Sequence, residues 1–197
     1  DSFFIADLVP PITIKPPRLI DKYGPYEGPT TKIATREGSS NVVDVYTSRY
    51  DGKNITYAVR LGKDPAFIVD GDSYQTARVT VLPTYNASYN VTNKERFLKE
   101  VKDSEKNWRL ADQKGLSPEL YFYGYIKQGN NLVLCTISEA FNMDLAGFIR
   151  DHGFGNGEMQ QNIATQLIAL FTEMAKAMSM ICFDIKPQNT VIRFDQD

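Results

Sequence analysis

The sequence contains few of the residues that form disulfide frameworks or histidine-based sites. Its 197 residues include two cysteines and one histidine. Cys135 and Cys182 both lie within apolar runs, which predicts buried free thiols in a reducing compartment rather than a disulfide. His152 stands in an Asp-His-Gly sequence typical of a surface turn, so we expect it to be neither catalytic nor a metal ligand.

A basic excess and a long hydrophobic run are also absent. The chain has 22 Lys and Arg against 24 Asp and Glu, so its charge favours neither a nucleic-acid partner nor an anionic membrane. No apolar stretch approaches the roughly 20 residues that span a bilayer, and no signal-peptide pattern opens the chain. The 42% share of hydrophobic residues is that of a globular unit with a substantial core. We expect an intracellular protein, cytoplasmic by default.

Proline is concentrated at the start of the chain. Six of the ten prolines fall within the first 29 residues. Because proline fixes φ and lacks an N–H donor, this predicts an extended arm over residues 1–30 rather than a helix or a central strand.

Alternating apolar residues then predict an antiparallel hairpin. Residues 43–45 and 55–59 alternate in polarity on either side of an Asp51-Gly52 turn. A further strand is predicted near residues 78–82.

A long helix is predicted after this hairpin. Thr92 and Glu95 have the spacing of a capping box, and Gly115 with Pro118 closes the segment. The later predicted elements are two strands at 121–125 and 131–137 and a second long helix over about 158–178. Strands, a helix, further strands and then helices predict an α+β chain with two unlike halves and a cleft near residue 139.

The most specific motif is D-I-K-P-Q-N, which contains Asp184, Lys186 and Asn189. It resembles the catalytic loop of protein kinases, H-R-D-x-K-P-x-N. The resemblance implies that Asp184 takes the proton of the attacking hydroxyl, that Lys186 neutralises the transferring phosphate, and that Asn189 binds Mg²⁺. A polar turn between a helix and a strand is the alternative reading.

Lys186 and Pro187 distinguish between kinase classes. Small-molecule kinases usually lack this lysine, and tyrosine kinases have Ala or Arg here, so the segment resembles a eukaryotic-type Ser/Thr protein kinase. A weaker likeness links it to divergent kinases of large DNA viruses, which would add host cytoplasm or the virion as locations. The resemblance implies a two-lobed kinase-like fold, ATP and Mg²⁺ as cofactors, and a protein substrate.

A segment upstream resembles the glycine-rich loop G-x-G-x-x-G-x-V. Gly38 and Val45 match this pattern, whereas Ser40 and Val43 stand where the other glycines belong. The resemblance implies that Gly38, Ser39 and Ser40 cover the phosphates of ATP. An ordinary hairpin turn explains the segment equally well.

The sequence Y-A-V-R resembles the V-A-I-K motif of the third kinase strand. Ala58 then belongs to the ATP site, and Arg60 replaces the lysine that contacts the α- and β-phosphates. Arginine is not equivalent to lysine, and Lys63 could substitute for it if the strand is bulged. On the long helix Glu100 is favoured over Glu105 as the acid that pairs with Arg60.

The resemblance also assigns a hinge. Residues 131–137 would form the fifth strand, and Glu139 would begin the segment whose backbone meets adenine. The expected domains are the arm over 1–30, an N-lobe over 31–138, and a hinge with a partial C-lobe over 139–197. That helical C-lobe ends after the catalytic loop.

Three departures from the family leave other functions open: the glycine loop is eroded, Arg60 replaces the usual lysine, and the second metal-binding motif does not appear. In addition, Cys182 and Phe183 replace the His and Arg of H-R-D. We therefore expect little kinase activity from residues 1–197 alone. The main alternative is a pseudokinase that acts as a nucleotide- or protein-binding module, and the second is a small-molecule kinase.

Overall fold

A computed structural model describes most of the chain. The described residues are 5–7, 17–38, 41–63, 67–70, 78–81, 94–128, 131–153, 155–178 and 190–192. They divide into two compact units, one formed by residues 1–106 and 119–139 and the other by residues 107–118 and 140–197. The first unit ends at Glu139, next to the predicted hinge, whereas Asn107–Pro118 belongs to the second unit rather than to the predicted N-lobe.

The described residues form ten strands and four helices, which confirms a mixed α+β chain. The strands are β1 (Ile5–Asp7), β2 (Thr31–Glu37), β3 (Asn41–Tyr50), β4 (Lys53–Gly62), β5 (Phe67–Asp70), β6 (Arg78–Val81), β7 (Leu120–Gln128), β8 (Asn131–Glu139), β9 (Met143–Asp144) and β10 (Val191–Ile192). The helices are α1 (Pro17–Tyr23), α2 (Lys94–Gln113), α3 (Leu145–His152) and α4 (Gly157–Met178).

Five antiparallel strands form the centre of the first unit, in the order β7-β8-β4-β3-β2. Strand β1 adds in parallel at the β7 edge, and the β5–β6 hairpin attaches to β8. Strands β2, β3 and β4 are therefore sequential neighbours, whereas β8 reaches the other side of β4 only after α2 and β7.

The predicted hairpin is confirmed as β3 and β4. Its turn residues Asp51 and Gly52 both have positive φ, 44° and 76°, as a two-residue type I′ hairpin turn requires. The register runs without a break from Asn41 opposite Gly62 to Tyr50 opposite Lys53.

The core of the first unit contains several tyrosines. Tyr50 and Tyr57 are each 1% exposed, and the Tyr57 hydroxyl shares a 3.0 Å hydrogen bond with the buried Ser48. Ser48 in turn shares a 2.9 Å hydrogen bond with Thr30, which continues to Tyr26. Tyr57 is stable in this core because its hydroxyl has a hydrogen-bond partner while its ring packs with apolar neighbours.

The prediction that residues 1–30 avoid helix is wrong. Pro17–Tyr23 forms α1, and Leu19 on this helix is fully buried in the tyrosine core. Pro17 is the first helical residue, where its missing N–H would have no intrahelical partner and its fixed φ suits the helix. Proline therefore marks the start of a helix here.

The end of α2 agrees with the prediction. Gly115 has φ of +69°, and Leu116 N–H donates to the Ala111 carbonyl at 2.9 Å while Gly115 N–H donates to Asp112 at 2.9 Å. This is the Schellman arrangement, in which a left-handed glycine terminates a helix. The predicted capping box at Thr92 lies outside the described residues.

The second unit contains the helix predicted near 158–178, which is α4 (Gly157–Met178). It also contains α3, whose first turn is capped by Asp144 through a 2.6 Å hydrogen bond from Gly147 N–H to Oδ1. Among the described helices, none combines the length and the apolarity needed to cross a membrane.

Candidate nucleotide-binding site

The segment predicted to cover phosphates joins β2 to β3. Gly38 N–H donates to the Asn41 carbonyl at 2.8 Å and closes a short turn, while Ser39 and Ser40 lie outside the described residues. A Cβ placed on Gly38 would lie 3.4 Å from the Asn41 oxygen, an ordinary contact. The turn therefore accepts glycine at position 38 without requiring it.

Two predicted ATP-site residues are direct cross-strand neighbours. Val45 on β3 lies opposite Ala58 on β4, and Ala58 lies opposite Ser138 on β8. Paired residues of an antiparallel sheet share a face, so these three side chains lie side by side. Val45 and Ala58 are half-buried, which leaves a small apolar patch on the sheet face opposite the tyrosine core.

Arg60 extends this patch by two residues along β4. It lies opposite Val43 on β3 and opposite the buried Thr136 on β8, so a cation adjoins the apolar patch on the same face. We call the face that carries Val43, Val45, Ala58, Arg60 and Thr136 the site face.

Arg60 is both exposed to solvent and partly surrounded by protein. Its side chain is exposed, yet enough protein surrounds it that desolvation lowers the pKa of its guanidinium. The guanidinium nevertheless stays charged at neutral pH, because the ordinary pKa of arginine is so high. The site face therefore presents a permanent positive charge.

The condition under which Lys63 could replace Arg60 is not met. Strands β3 and β4 pair without a bulge, and Lys63 lies just beyond the last paired residue of β4. Its Nζ is 3.7 Å from Oε2 of Glu37 at the end of β2. Both side chains are exposed, so this ion pair contributes little to stability.

The predicted acid partner of Arg60 lies on α2. The backbone of Glu100 is in this helix, but its side chain, and with it the Arg60–Glu100 pair, lies outside what the structure describes. Glu105, the alternative acid, is half-buried on the same helix. Pairing of Arg60 with Glu100 stays a prediction.

Glu139 occupies the last position of β8. Its backbone N–H donates to the Glu119 carbonyl at 2.8 Å, and its Oε1 accepts from Glu119 N–H at 3.2 Å. The Glu119 carboxylate is itself paired with Arg18 and Lys22 of α1. Sequence reasoning missed Glu119, Arg18 and Lys22, because partners about 100 positions apart leave no local pattern.

The three residues of the kinase-like catalytic loop, Asp184, Lys186 and Asn189, lie outside the described residues. The segment that follows them is described. Thr190 accepts a 2.7 Å hydrogen bond from Leu145 N–H, and Ile192 accepts one of 3.1 Å from Asn142 N–H. This pairing of β10 with β9 attaches the chain just after Asn189 to the start of α3.

Cys135 and His152 lie in the environments that the sequence predicts, the first in the core and the second at the surface. Cys135 is a fully buried free thiol, and burial raises its pKa to about 12. His152 is exposed at the end of α3, with its ring 4.9 Å from that of Phe148. Cys182 lies outside the described residues, and within those residues no three His, Cys, Asp or Glu side chains group as metal ligands.

Comparison with known proteins gives no family assignment. No protein-family model matches the chain, and no curated protein matches it significantly.

Proposed function

We propose that this chain is a protein-kinase-like phosphotransferase that binds ATP on the site face and transfers its γ-phosphoryl group to a Ser or Thr hydroxyl of an intracellular protein. The observation that carries the proposal is the register of β3, β4 and β8. It aligns Val45, Ala58 and Arg60 on one face, with an apolar patch suited to a purine ring beside a cation suited to phosphate. The D-x-K-P-x-N motif adds the residues for transfer.

The proposed reaction follows from those residues. The hydroxyl oxygen of the substrate attacks the γ-phosphorus, the bond between that phosphorus and the bridging oxygen to the β-phosphate breaks, and ADP leaves. The hydroxyl proton passes to the Asp184 carboxylate, and Lys186 offsets the charge on the phosphoryl oxygens. Mg²⁺, held by Asn189, would supply further charge neutralisation. Arg60 would hold the α- and β-phosphates in place.

Replacement of the proposed base tests this function. Asp184→Asn in the full-length protein should abolish transfer of radiolabelled phosphate to a generic Ser/Thr substrate, because the amide cannot accept the proton. ATP binding, measured by calorimetry, should stay nearly unchanged. Asp195→Asn is the matched control, since this nearby acid lacks the motif spacing and should leave turnover intact. Undiminished turnover in Asp184→Asn would refute the proposal.

A pseudokinase is the second candidate, and Val43 favours it. This residue stands at a glycine position of the loop pattern, and the structure places it directly opposite Arg60 on the site face. A β-branched side chain at this point restricts how closely phosphates can approach the backbone. Measurable ATP binding without any phosphoryl transfer by the full-length protein would decide for the pseudokinase.

A further inference from the structure

Helix α1 is too short to be stable by itself, and the tyrosine core holds it in position. It has seven residues, whereas isolated helices shorter than about 12–15 residues are marginal in water. Leu19 provides the apolar anchor, with no exposed surface. Tyr23 is partly buried against the same cluster. The helix is therefore an integral part of the first unit.

Two cations of α1 converge on one carboxylate. Arg18 Nη2 lies 3.5 Å from Oε1 of Glu119, and Lys22 Nζ lies 2.5 Å from Oε2. Arg18 also donates to the carbonyl oxygen of Leu120. The Glu119 side chain is only 17% exposed, so its pairs are less screened than ordinary surface pairs. The hydrogen bond with Glu119 raises the pKa of Lys22, although burial opposes that change.

Glu119 connects α1 to the end of β8. The Glu119 carbonyl accepts a hydrogen bond from the Glu139 N–H, and the Glu119 N–H donates one to the Glu139 carboxylate. Glu139 is the last residue of the first unit. The contacts therefore connect α1 through Glu119 to the end of that unit.

We propose that Arg18 and Lys22 are positioning residues for nucleotide recognition. By holding Glu119 they fix Glu139, the first residue of the predicted hinge, whose backbone would read the edge of the purine base. The inference rests on the proposed function, because it assumes that this backbone contacts the base. The two cations of α1 offset the negative charge of the Glu119 carboxylate.

The test uses a charge-neutral double variant, Arg18→Gln with Lys22→Gln, and Arg49→Gln as the control. Arg49 pairs with Glu27 at 3.3 Å in the same unit but has no role at Glu119. The first measurement is residue-level amide hydrogen exchange. The Glu139 amide should exchange faster in the double variant than in the control, and unchanged exchange would overturn the proposal.

The second measurement compares the binding of ATP, GTP and inorganic triphosphate. In the double variant the ATP dissociation constant should rise about 3- to 10-fold. The preference for ATP over GTP should fall, and triphosphate binding should not change. A variant with a lower melting temperature but an unaltered ATP preference would show a merely structural role and overturn the proposal. Absence of ATP binding in the wild-type chain would instead refute the proposed function, while the exchange measurement would still decide whether α1 holds Glu139.

Discussion

The central sheet has two faces that differ in kind although the same strands build both. On β3 the side chains of Tyr46, Ser48 and Tyr50 are buried, whereas Val45 and Thr47, which point to the other face, are only half-buried. The first set packs with α1 and the tyrosine cluster. The second set belongs to the site face, which carries the proposed nucleotide contacts.

This difference separates residues that hold the fold from residues that are available for binding. The core face is closely packed, so any loss of volume there is costly. The site face keeps an exposed cation and a half-buried apolar patch, and such groups contribute little to folding. Substitutions on the two faces of one strand should therefore affect different measurements.

The largest expected difference between the two faces is in how much a substitution lowers the free energy of unfolding. Ile137→Ala on the core face of β8, where Ile137 is fully buried, should lower the free energy of unfolding by about 2–5 kcal/mol. Val45→Ala on the site face should lower it by only about 1 kcal/mol, because that side chain is half-buried. Urea denaturation measures both values. Equal losses in the two variants would contradict the assignment of the faces.

Alkaline pH should lower the stability of the protein through the buried tyrosines of the core face. Burial raises the pKa of Tyr46 and of Tyr50 to about 12 each, from an ordinary value near 10. The unfolded chain then loses these protons before the folded chain does, so their contribution is complete below about pH 10 and is lost as the pH rises to about 12. Each tyrosine should lower the free energy of unfolding by about 1.4 kcal/mol per pH unit in that window.

Tyr50→Phe checks this prediction, because it removes one of the buried groups that titrate in this range while Tyr46 and Cys135 remain. The loss of stability between pH 10 and pH 12, followed by urea denaturation at each pH, should become shallower than in the wild type. An unchanged slope would show that Tyr50 does not contribute in this way.

Local sequence signals predicted where the hairpin turns and where α2 ends, but they did not predict which face of the sheet forms the core. The turn at Asp51-Gly52 and the end of α2 at Gly115 follow from glycine at positive φ, which needs no tertiary information. Val45 and Tyr57 both follow the predicted alternation, and the register sets their side chains on opposite faces of the sheet. Alternation does not say which face of the sheet becomes the core, whereas in the structure the tyrosine face packs with Leu19 of α1.

The candidate site was predictable only in part. The alignment of Val45, Ala58 and Arg60 follows from the hairpin register, which the turn determines. The contacts of Arg18 and Lys22 with Glu119 depend on where a distant helix packs, and proline near that helix suggested the opposite structure.

Arg60 tests the binding role of the site face. Arg60→Ala should weaken ATP binding by about 1–3 kcal/mol, the range for loss of a charge-assisted contact. Stability should change little, because the side chain is exposed. Lys63→Ala is the matched control and should have a smaller effect on ATP binding, since Lys63 lies beyond the strand beside Glu37. Calorimetric titration that gave the reverse order would move the phosphate contact to Lys63.

The smallest expected effect is at Val43, where substitution by glycine should strengthen ATP binding and lower stability. Val43→Gly restores the glycine of the loop pattern opposite Arg60, which should allow closer approach of phosphate and strengthen ATP binding by about 0.5–1 kcal/mol, on the scale of one weak hydrogen bond. Glycine within a strand should at the same time lower the free energy of unfolding by about 0.5–1 kcal/mol.

Val42→Gly is the control, because its neighbour in the register is Leu61 and its side chain lies on the other face. It should lower stability without improving ATP binding. If Val43→Gly weakens binding as well, the valine is part of the nucleotide contact rather than an obstacle to it, and the argument for a pseudokinase from this residue fails.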